Sequence, residues 1–346
     1  MFRYSLIGAG MVAATHVDAL ANSKTCTLAG IWSRTDDSAQ ALAVQARQLG
    51  ISDVHVFPDL ESAIHGNGID GIIVATPPSF RGSIIEEAVK SRVPVLLEKP
   101  VSRNFVEAAA ISKACQSANL VAGVVFQHRM REASRAAKSL LESGEIGRVF
   151  LVEAGVPWWR DQAYYDEPGR GTYSRDGGGV LISQAIHTID LLLDLVGDVD
   201  SVTAELGTSG FHVMEAEDFS VVGMRFLNGA RGSLVASTAF YPGNAEYIRI
   251  FAEHASISLA GAELVVSWRD GRTETIGAET GSGGSADPMA FTSDWHRDVF
   301  ENFAEAAINQ TKPLVSVDVA LKSHAFIEAA ERASKHGRRV SMSEIQ

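Results

Sequence analysis

The chain has 346 residues, of which 46% are hydrophobic and 21% are charged, and its formal net charge is −12. This length exceeds the size at which one hydrophobic core usually stops growing, so two domains are expected, and no long segment is polar enough to predict disorder. The negative charge, without any dense Lys or Arg cluster, argues against nucleic acid as a partner, because phosphate backbones would be repelled.

Cysteine usage and the N-terminus indicate the compartment. Cys26 falls in a predicted strand and Cys115 in a predicted helix, which suits buried, reduced thiols better than a disulfide framework. The first ten residues contain too short an apolar run for a signal peptide, and nothing in the chain approaches the roughly 18 apolar residues of a membrane span. A cytoplasmic protein without a membrane anchor is therefore expected.

Short apolar runs alternate with amphipathic helical patterns up to about residue 126, which is typical of a parallel sheet built from βαβ units. The predicted strands are Tyr4–Ile7, Thr25–Trp32, Val54–Phe57, Gly71–Ala75, Pro94–Leu97 and Leu120–Phe126. They are mostly apolar, as strands covered on both faces should be. The sequence predicts a dinucleotide-binding domain over residues 1–124.

The pattern changes in the remainder, residues 125–346, which we interpret as a substrate-binding and oligomerisation α/β domain with an antiparallel sheet. A long aromatic and charged loop, Pro157–Gly179, separates its first strand from the next helix, and loops of this length are usually functional or disordered. The turn at Asn228-Gly229 joins two alternating strands. The predicted elements are a helix near Glu132–Glu142, a strand at Arg148–Val156, a helix at Leu181–Leu195, strands at Phe219–Phe226 and Gly232–Phe240, a surface loop at Gly277–Pro288, and helices near Trp295–Ile308 and Val319–His336.

A glycine-rich loop follows the first strand. Gly8-Ala9-Gly10-Met11-Val12-Ala13 forms a GxGxxA pattern between a strand and a helix, where small residues let backbone amides approach a pyrophosphate and the helix N-terminus favours its charge. Gly8, Gly10, Met11 and Val12 are the predicted contacts. The alternative is a tight turn selected for packing alone.

The end of the second strand bears on the choice of cofactor. Ser33 lies 23 residues past Gly10, near where an NAD-selective protein would place an acid, and Arg34 follows it. A hydroxyl and a guanidinium suit a 2′-phosphate, so NADP is favoured over NAD. Asp36 and Asp37 follow closely, so NAD stays open as the alternative cofactor.

Two segments carry residues suited to proton transfer. Glu98-Lys99-Pro100 follows the fifth strand, at the edge where open α/β sheets bind ligands, and a partly desolvated Lys99 beside a nicotinamide can exchange a proton with a hydroxyl. An ordinary surface salt bridge is the alternative. In the second domain Ser183, Gln184 and His187 lie on a helix that follows three glycines. An imidazole there suits acid or base chemistry, although a lone helical His is more often structural.

The aromatic loop is the predicted substrate region. Its flat apolar faces and charged donors suit polyhydroxylated rings, with a domain-packing loop as the alternative. The candidates are Trp159, Arg160, Tyr165 and Arg170, near Trp158 and Tyr164. No Cys or His pattern has metal-ligand spacing, so no metal is expected. We interpret His16 as a packed or capping residue and leave His128 unassigned.

Four motifs, in this order and spacing, resemble the glucose-fructose oxidoreductase, inositol dehydrogenase and MocA family, and the likeness extends over essentially the whole chain. They are GAGMVA after the first strand, ATPPS at residues 75–79, EKP at residues 98–100 and GGGVLISQAIHTID at residues 177–190. The resemblance implies a Rossmann domain, a second domain with an open, mostly antiparallel sheet, and homodimers or homotetramers formed through that sheet. It also implies that Lys99 hydrogen-bonds the reacting oxygen, that His187 acts as acid or base, and that Thr76, Pro77, Glu98 and Gln127 line the cofactor.

Two positions depart from the family pattern. Ser183 stands where many members have an acid four residues before the histidine, and Arg81 stands where many have a histidine, which leaves the cofactor contacts there open. The predicted activity is hydride transfer between an NAD(P) cofactor and a secondary alcohol carbon of a sugar, polyol or sugar derivative. The alternatives are a redox-neutral, NAD-cycling glycosidase or lyase of the same family, and a non-catalytic dinucleotide-binding regulator.

Overall fold

A computed structural model of the protein describes residues 1–277 and 292–345. Its N-terminal part alternates strands and helices, and all six predicted strands are present with ends within two residues of those expected. The elements are β1 (Phe2–Ile7), α1 (Ala13–Ala21), β2 (Cys26–Trp32), α2 (Asp36–Gln48), β3 (His55–Val56), α3 (Leu60–His65), β4 (Gly71–Val74), α4 (Gly82–Ser91), β5 (Val95–Glu98), α5 (Phe105–Ser117) and β6 (Ala122–Val125).

These six strands form one parallel sheet in the order β3-β2-β1-β4-β5-β6. The strand order reverses between β1 and β4, and ligands of open α/β sheets bind at the carboxyl ends of strands beside such a reversal. The glycine loop follows β1, Thr76 lies just beyond β4, and Lys99 follows β5. The sheet therefore brings three of the predicted segments to one edge.

The second part begins with a 3₁₀ turn over Gln127–Met130. The helices and strands that follow are α6 (Glu132–Ser143), β7 (Val149–Pro157), α7 (Gln162–Tyr165), α8 (Ile186–Val196), β8 (Val199–Gly207), β9 (Phe219–Phe226), β10 (Arg231–Ser237), β11 (Tyr247–Ala252), β12 (Ala255–Ala260), β13 (Glu263–Trp268), β14 (Thr273–Gly277), α9 (Asp294–Asn309), α10 (Val317–His336) and β15 (Val340–Ser341). Apart from Gly277, the predicted loop Gly277–Pro288 lies outside the described residues.

A π-helical turn over Leu181–Ala185 leads directly into α8, where the sequence predicted one continuous helix from Leu181. The difference arises because hydrophobic periodicity does not distinguish a wide turn from an α-helical one. Such wide turns are rare in proteins, and those that occur often lie at functional sites.

The nine strands of the second part form one sheet in the order β14-β13-β12-β11-β7-β10-β9-β8-β15. The pair β7 and β10 is parallel and the other pairs are antiparallel, so the predicted mostly antiparallel sheet is confirmed. Buried and exposed residues alternate along β9 and β11, as expected when one face meets a core. Helices α6 and α8 pack on the buried face.

The described residues divide into two compact units, which we call the first unit (residues 1–127 and 292–321) and the second unit (128–277 and 322–345). The expected boundary after residue 124 differs from this division by three residues. The larger difference is that α9 joins the first unit, which periodicity could not indicate, because an amphipathic helix does not specify which core it covers.

Two further expectations concern the cysteines and membrane-spanning helices. Cys26 and Cys115 are both buried and free. Among the helices of residues 1–277 and 292–345, none has the length and apolar composition needed to cross a membrane.

Candidate functional site

The glycine loop after β1 leaves space for a close approach of the backbone. Gly8 has φ +111°, and a Cβ on it would lie 2.9 Å from the carbonyl carbon and oxygen of Ala75. Any other residue would be strained there and would collide with the end of β4. α1 starts at Ala13 with no acidic residue in its first turn and no side-chain cap, so its N-terminal amides are not satisfied by a side chain.

A buried arginine ties the ends of β4 and β5 together. The Arg81 guanidinium donates to the carbonyl oxygen of Thr76 at 2.8 Å, and also to the carbonyl oxygens of Glu98 and Pro100. Burial lowers the pKa of Arg81 to about 10, partly offset by Glu98, so the group stays charged at neutral pH. Arg81 departs from the family pattern at this position, and its hydrogen bonds clamp the segment that carries Lys99.

The Glu98 side chain points away from solvent and is held by a histidine. His16 Nε2 lies 2.8 Å from Glu98 Oε1, and the backbone N–H of Lys99 donates to Glu98 Oε2 at 3.1 Å. Burial by itself would raise the pKa of Glu98, but the hydrogen bond from His16 and nearby positive charge outweigh it and lower the pKa to about 2. His16 is thus packed, as predicted, and its contact with Glu98 was not anticipated.

His296 of α9 completes this cluster. Its ring centroid lies 5.5 Å from that of His16, and burial lowers its pKa to about 3, so it is neutral in the folded protein. Candidate donor atoms of His16, Glu98 and His296 lie within 4.8 Å of one another, which is a ligand set of the right type for zinc. The hydrogen bond between His16 and Glu98 already uses two of these atoms. The expectation that the protein uses no metal therefore stays a prediction.

Several side-chain polar atoms of the first unit are buried without a hydrogen bond from the described residues, and two of them lie just beyond strands of the parallel sheet. They are the hydroxyl of Thr76, which follows β4, and the amide oxygen Oε1 of Gln127, which follows β6. Pro77 comes directly after Thr76 and precedes a short 3₁₀ turn. Buried polar groups usually find a partner, so these two atoms are suited to accept or donate to a bound ligand.

The segment after β2 is more open. Ser33 is half-buried and Arg34 is exposed, and Arg34 makes no ion pair with the described residues. Asp36 and Asp37 lie in the first turn of α2, where acidic residues favour the helix N-terminus. This placement gives the two aspartates a structural role and leaves Arg34 accessible to a ligand.

In the second unit, Glu217 holds the start of the helix that carries His187. Its carboxylate accepts hydrogen bonds from the backbone N–H groups of Gly179 at 3.1 Å and Leu181 at 3.0 Å. A Cβ on Gly179 would lie 1.8 Å from the carbonyl oxygen of Glu217, so only glycine fits. Burial raises the pKa of Glu217, and burial beside Glu217 raises the pKa of Glu331 to about 8.

His187 is buried on the first turn of α8, and its ring stacks on that of His128 with centroids 4.8 Å apart and planes at 26°. Three residues further along, Asp190 is bound by both Nε and Nη2 of Arg129 at 2.6 and 2.7 Å. This bidentate pair fixes α8 against the segment after β6. Ser183 is half-buried on the π-helical turn, and the buried Gln184 donates from Nε2 to the Tyr164 hydroxyl at 3.3 Å.

The aromatic loop forms a stacked cluster. The buried Arg160 guanidinium lies 5.2 Å from the centre of the Trp158 ring and 5.7 Å from that of the Tyr164 ring, and the Arg170 guanidinium lies 4.2 Å from the centre of the Tyr164 ring. The Tyr165 hydroxyl is engaged by Thr238 Oγ1 at 2.6 Å, and burial raises its pKa. Half-buried Trp159 meets the exposed rings of Phe211 and Tyr241 edge to face.

Family models match both parts of the chain. Residues 2–126 match the model described as an oxidoreductase family with an NAD-binding Rossmann fold, and residues 134–258 match the GFO/IDH/MocA C-terminal domain. The chain belongs to the GFO/IDH/MocA family. It is therefore an NAD-binding oxidoreductase, and the predicted resemblance and fold class are confirmed.

Several GFO/IDH/MocA relatives have assigned names. The D-apiose dehydrogenase of Rhizobium rhizogenes is 24% identical over 98% of this chain and 96% of its own length. The scyllo-inositol 2-dehydrogenase (NAD(+)) of Bacillus subtilis is 28% identical over 56% of this chain and 55% of its own length. The WlbA dehydrogenase of Bordetella pertussis, solved with NADH and UDP-GlcNAcA, is 26% identical, covers 98% of each chain and has a TM-score of 0.80.

The sequence did not reveal every residue that shapes this GFO/IDH/MocA protein. Glu217, His296 and the bond between Arg129 and Asp190 were missed, because each acts across a large separation in the chain. The run of three glycines that ends at Gly179 was the available signal for Glu217, since glycine before a helix allows the backbone of another segment to approach closely.

Proposed function

We propose that this protein transfers a hydride between C4 of a nicotinamide and a secondary alcohol carbon of a sugar, polyol or sugar derivative. The observation on which this proposal rests is that the glycine loop after β1 and Lys99 after β5 lie at the same edge of the parallel sheet. Named relatives act on D-apiose and scyllo-inositol, and a solved relative was crystallised with NADH and UDP-GlcNAcA. These names support the substrate class.

The residues at this edge fit a dinucleotide. Gly8 and Gly10 keep side chains away from the loop, Met11 and Val12 precede the uncapped N-terminus of α1, and its amides are suited to a diphosphate. The Thr76 hydroxyl and the Gln127 amide oxygen are buried with bonding capacity to spare, and Pro77 and Glu98 lie at the ends of the adjoining segments. A nicotinamide bound there would supply the hydride acceptor or donor.

Lys99 and His187 carry the proposed proton chemistry. Lys99 holds the reacting oxygen, since an ammonium group is a strong hydrogen-bond donor and favours a developing alkoxide. His187 takes the hydroxyl proton during oxidation and returns it during reduction. The Arg81 clamp and the Glu98 contact fix the backbone of the Lys99 segment, and the Glu217 cap fixes the start of the His187 helix.

The proposed substrate contacts belong to the second unit. Trp159 presents an indole for stacking against the apolar face of a sugar ring, and Arg170, Ser183 and Gln184 offer polar groups. The amide oxygen of Gln184 is buried without a hydrogen bond from the described residues, which favours a ligand as its partner. Arg160 and Tyr165 are largely engaged within the aromatic cluster and support its shape.

For the cofactor we favour NADP over NAD. Arg34 is exposed directly after β2 and suits a 2′-phosphate, while Asp36 and Asp37 are placed at a helix start. Arg34→Ala should raise KM for NADP about tenfold and leave KM for NAD within about twofold, since one charge-assisted contact is lost. A strong NAD preference in the unaltered enzyme would contradict this choice.

We also propose a cytoplasmic homodimer or homotetramer assembled through the open face of the nine-stranded sheet. Leu151 of β7, Val221 of β9 and Phe251 of β11 are exposed apolar residues of that sheet. Exposed apolar patches of this kind often mark protein interfaces. Light scattering after size-exclusion chromatography would give the mass, and a monomer at micromolar concentration would contradict the proposal.

A screen of aldoses, polyols and sugar acids with NAD and NADP, followed by reduced-nicotinamide absorbance, tests the activity. We expect turnover of at least one such substrate, and Lys99→Ala should lower its kcat about a thousandfold. Lys90→Ala is the control, because Lys90 is an exposed lysine on α4 paired with Glu87. Full kcat in Lys99→Ala would overturn its proposed role, and product formation without net absorbance change would favour a redox-neutral reaction.

A further inference from the structure

His187 has no carboxylate one turn earlier on its helix, and the carboxylate of Asp190 that follows it is bound to Arg129. Ser183, one turn earlier, offers a hydroxyl without charge. A histidine that accepts a proton in a buried place needs compensating negative charge, since burial disfavours the imidazolium. A carboxylate near the ring would stabilise that form.

The ring of His128 is the immediate neighbour of His187. The two centroids are 4.8 Å apart, the planes are inclined by 26°, and the residues are 4% and 6% exposed. A flat ring at this distance restricts rotation of the His187 imidazole about its Cβ–Cγ bond. Two protonated rings at this distance would repel each other, so a single proton on the pair is favoured over two.

Glu246 lies behind His128, directly before β11. Its Oε1 is 3.9 Å from His128 Nδ1 and accepts a hydrogen bond from Arg131 Nη1 at 2.7 Å. Arg131 Nη1 also donates to the carbonyl oxygen of Gly261 at 2.8 Å, which anchors the guanidinium. Glu246 Oε2 is buried and accepts no hydrogen bond from the described residues. A carboxylate anchored by Arg131 and with spare acceptor capacity thus lies beside the His128 ring.

Other charged groups near α8 form ion pairs with one another. Arg129 binds Asp190 and Asp194, Lys138 lies 3.6 Å from Asp194, and Glu153 pairs with Arg249. The titratable groups on the strands and helix packed against α8 are Glu153 of β7, Tyr247 and Arg249 of β11 and, on α6, Glu132, Arg135, Lys138 and Glu142, while Glu246 directly precedes β11 and Arg131 directly precedes α6. Glu246 is the carboxylate that faces the His128 ring.

We propose that His128 and Glu246 take the place of the missing acid. His128 is a positioning residue that holds the His187 ring, and Glu246 supplies the negative charge that stabilises the protonated pair. The proposal rests on the proposed function: when the alcohol is oxidised, its O–H bond breaks and an N–H bond forms on His187. The hydride leaves the carbon with its electron pair for the oxidised nicotinamide, and a carbonyl remains.

Glu246→Gln tests the charge, because the amide keeps the size and an acceptor for Arg131. The loss of the carboxylate disfavours the imidazolium, so the titration midpoint of His187 should fall by about half a unit to one unit. The acidic limb of kcat/KM for oxidation should move to lower pH by the same amount, since the neutral imidazole is the base. Glu153→Gln, the same change on the exposed pair with Arg249, should move neither by more than about 0.2 units.

The midpoint is measured by NMR on protein labelled at the imidazole Cε1, with the His187 signal assigned by its absence in His187→Gln. This measurement does not require turnover. If the enzyme oxidises no substrate, the proposed function fails while the NMR titration still tests the coupling. An unchanged His187 midpoint in Glu246→Gln would overturn the proposal.

Two variants test the positioning role of His128. His128→Ala removes the ring and should lower kcat about tenfold or more, with KM for the cofactor within about twofold, because a loosely held base loses alignment. His128→Phe retains a flat ring and should keep kcat within about threefold of wild type. Wild-type kcat in a folded His128→Ala protein, or an equal loss in both variants, would overturn the positioning role.

Discussion

Two buried carboxyl groups adjoin the predicted catalytic residues, and they are stabilised in opposite ways. Glu98 of the first unit is bonded to the imidazole of His16, and its pKa is lowered to about 2. Glu217 of the second unit is bonded to the backbone N–H groups of Gly179 and Leu181 and neighbours Glu331, and burial raises its pKa. A hydrogen bond from a side chain together with nearby positive charge thus keeps a buried acid ionised, whereas backbone donors beside a second acid do not fully offset burial.

The largest effect is expected where a charged partner is removed. Glu98→Ala leaves buried His16 without the carboxylate that it contacts, and losing a buried hydrogen bond to a charged group typically costs up to about 3 kcal/mol. We expect a clear fall in the midpoint of urea unfolding, followed by circular dichroism. Glu87→Ala is the control, because Glu87 makes a similar contact with His65 at the surface and its loss should be much smaller. Equal losses of stability in the two variants would show that the buried contact of Glu98 contributes no more than the surface contact of Glu87.

Glu217 packs closely against Gly179 at the start of the helix that carries His187, so a single added methyl group should disturb the second unit. Gly179→Ala places a Cβ against the carbonyl oxygen of Glu217 and should cost about 3 kcal/mol, the upper end of overpacking effects, with a loss of kcat. Gly210→Ala meets open space and should leave both properties nearly unchanged. Differential scanning fluorimetry and kcat on the best substrate measure this difference. A Gly179→Ala protein as stable as Gly210→Ala would contradict the close contact.

The comparison also shows how far the sequence could predict the site. The strand pattern and the GxGxxA loop placed Gly8 and Lys99 correctly at the ends of parallel strands, because local periodicity and strand direction determine that edge. The sequence did not pair His16 with Glu98 or Gly179 with Glu217. Such contacts depend on side chains far apart in the chain, and local patterns carry no information about which of them meet. Arg81 looked like a departure for the same reason.

The first unit should lose stability on the acid side. His296 has its pKa lowered from 6.5 to about 3 by burial, so below pH 6.5 the unfolded chain binds a proton that the folded chain does not. Between pH 6.5 and 5 this amounts to about 2 kcal/mol of lost stability. His296→Phe keeps a buried ring without a titrating group, and its unfolding midpoint should fall less over that range. An identical slope for both proteins would contradict the neutral state of His296.

The second unit should show the opposite and smaller dependence. Burial and then the charge of Glu217 raise the pKa of Glu331 from 4.5 to about 8, so between these values the folded chain binds a proton that the unfolded chain does not. Stability contributed by this group is therefore greatest below pH 4.5 and falls as the pH rises toward 8. Glu331 is partly accessible, so the loss between pH 6.5 and 8 should be about 1 kcal/mol. Glu331→Gln should flatten this decline in urea unfolding, while Glu328→Gln, which replaces a neighbouring acid on α10 bonded to Arg332, should preserve it. If the stability of Glu331→Gln still falls as the pH rises toward 8, Glu331 is not the source of that fall. The contrast between the buried acids of the two units would then fail.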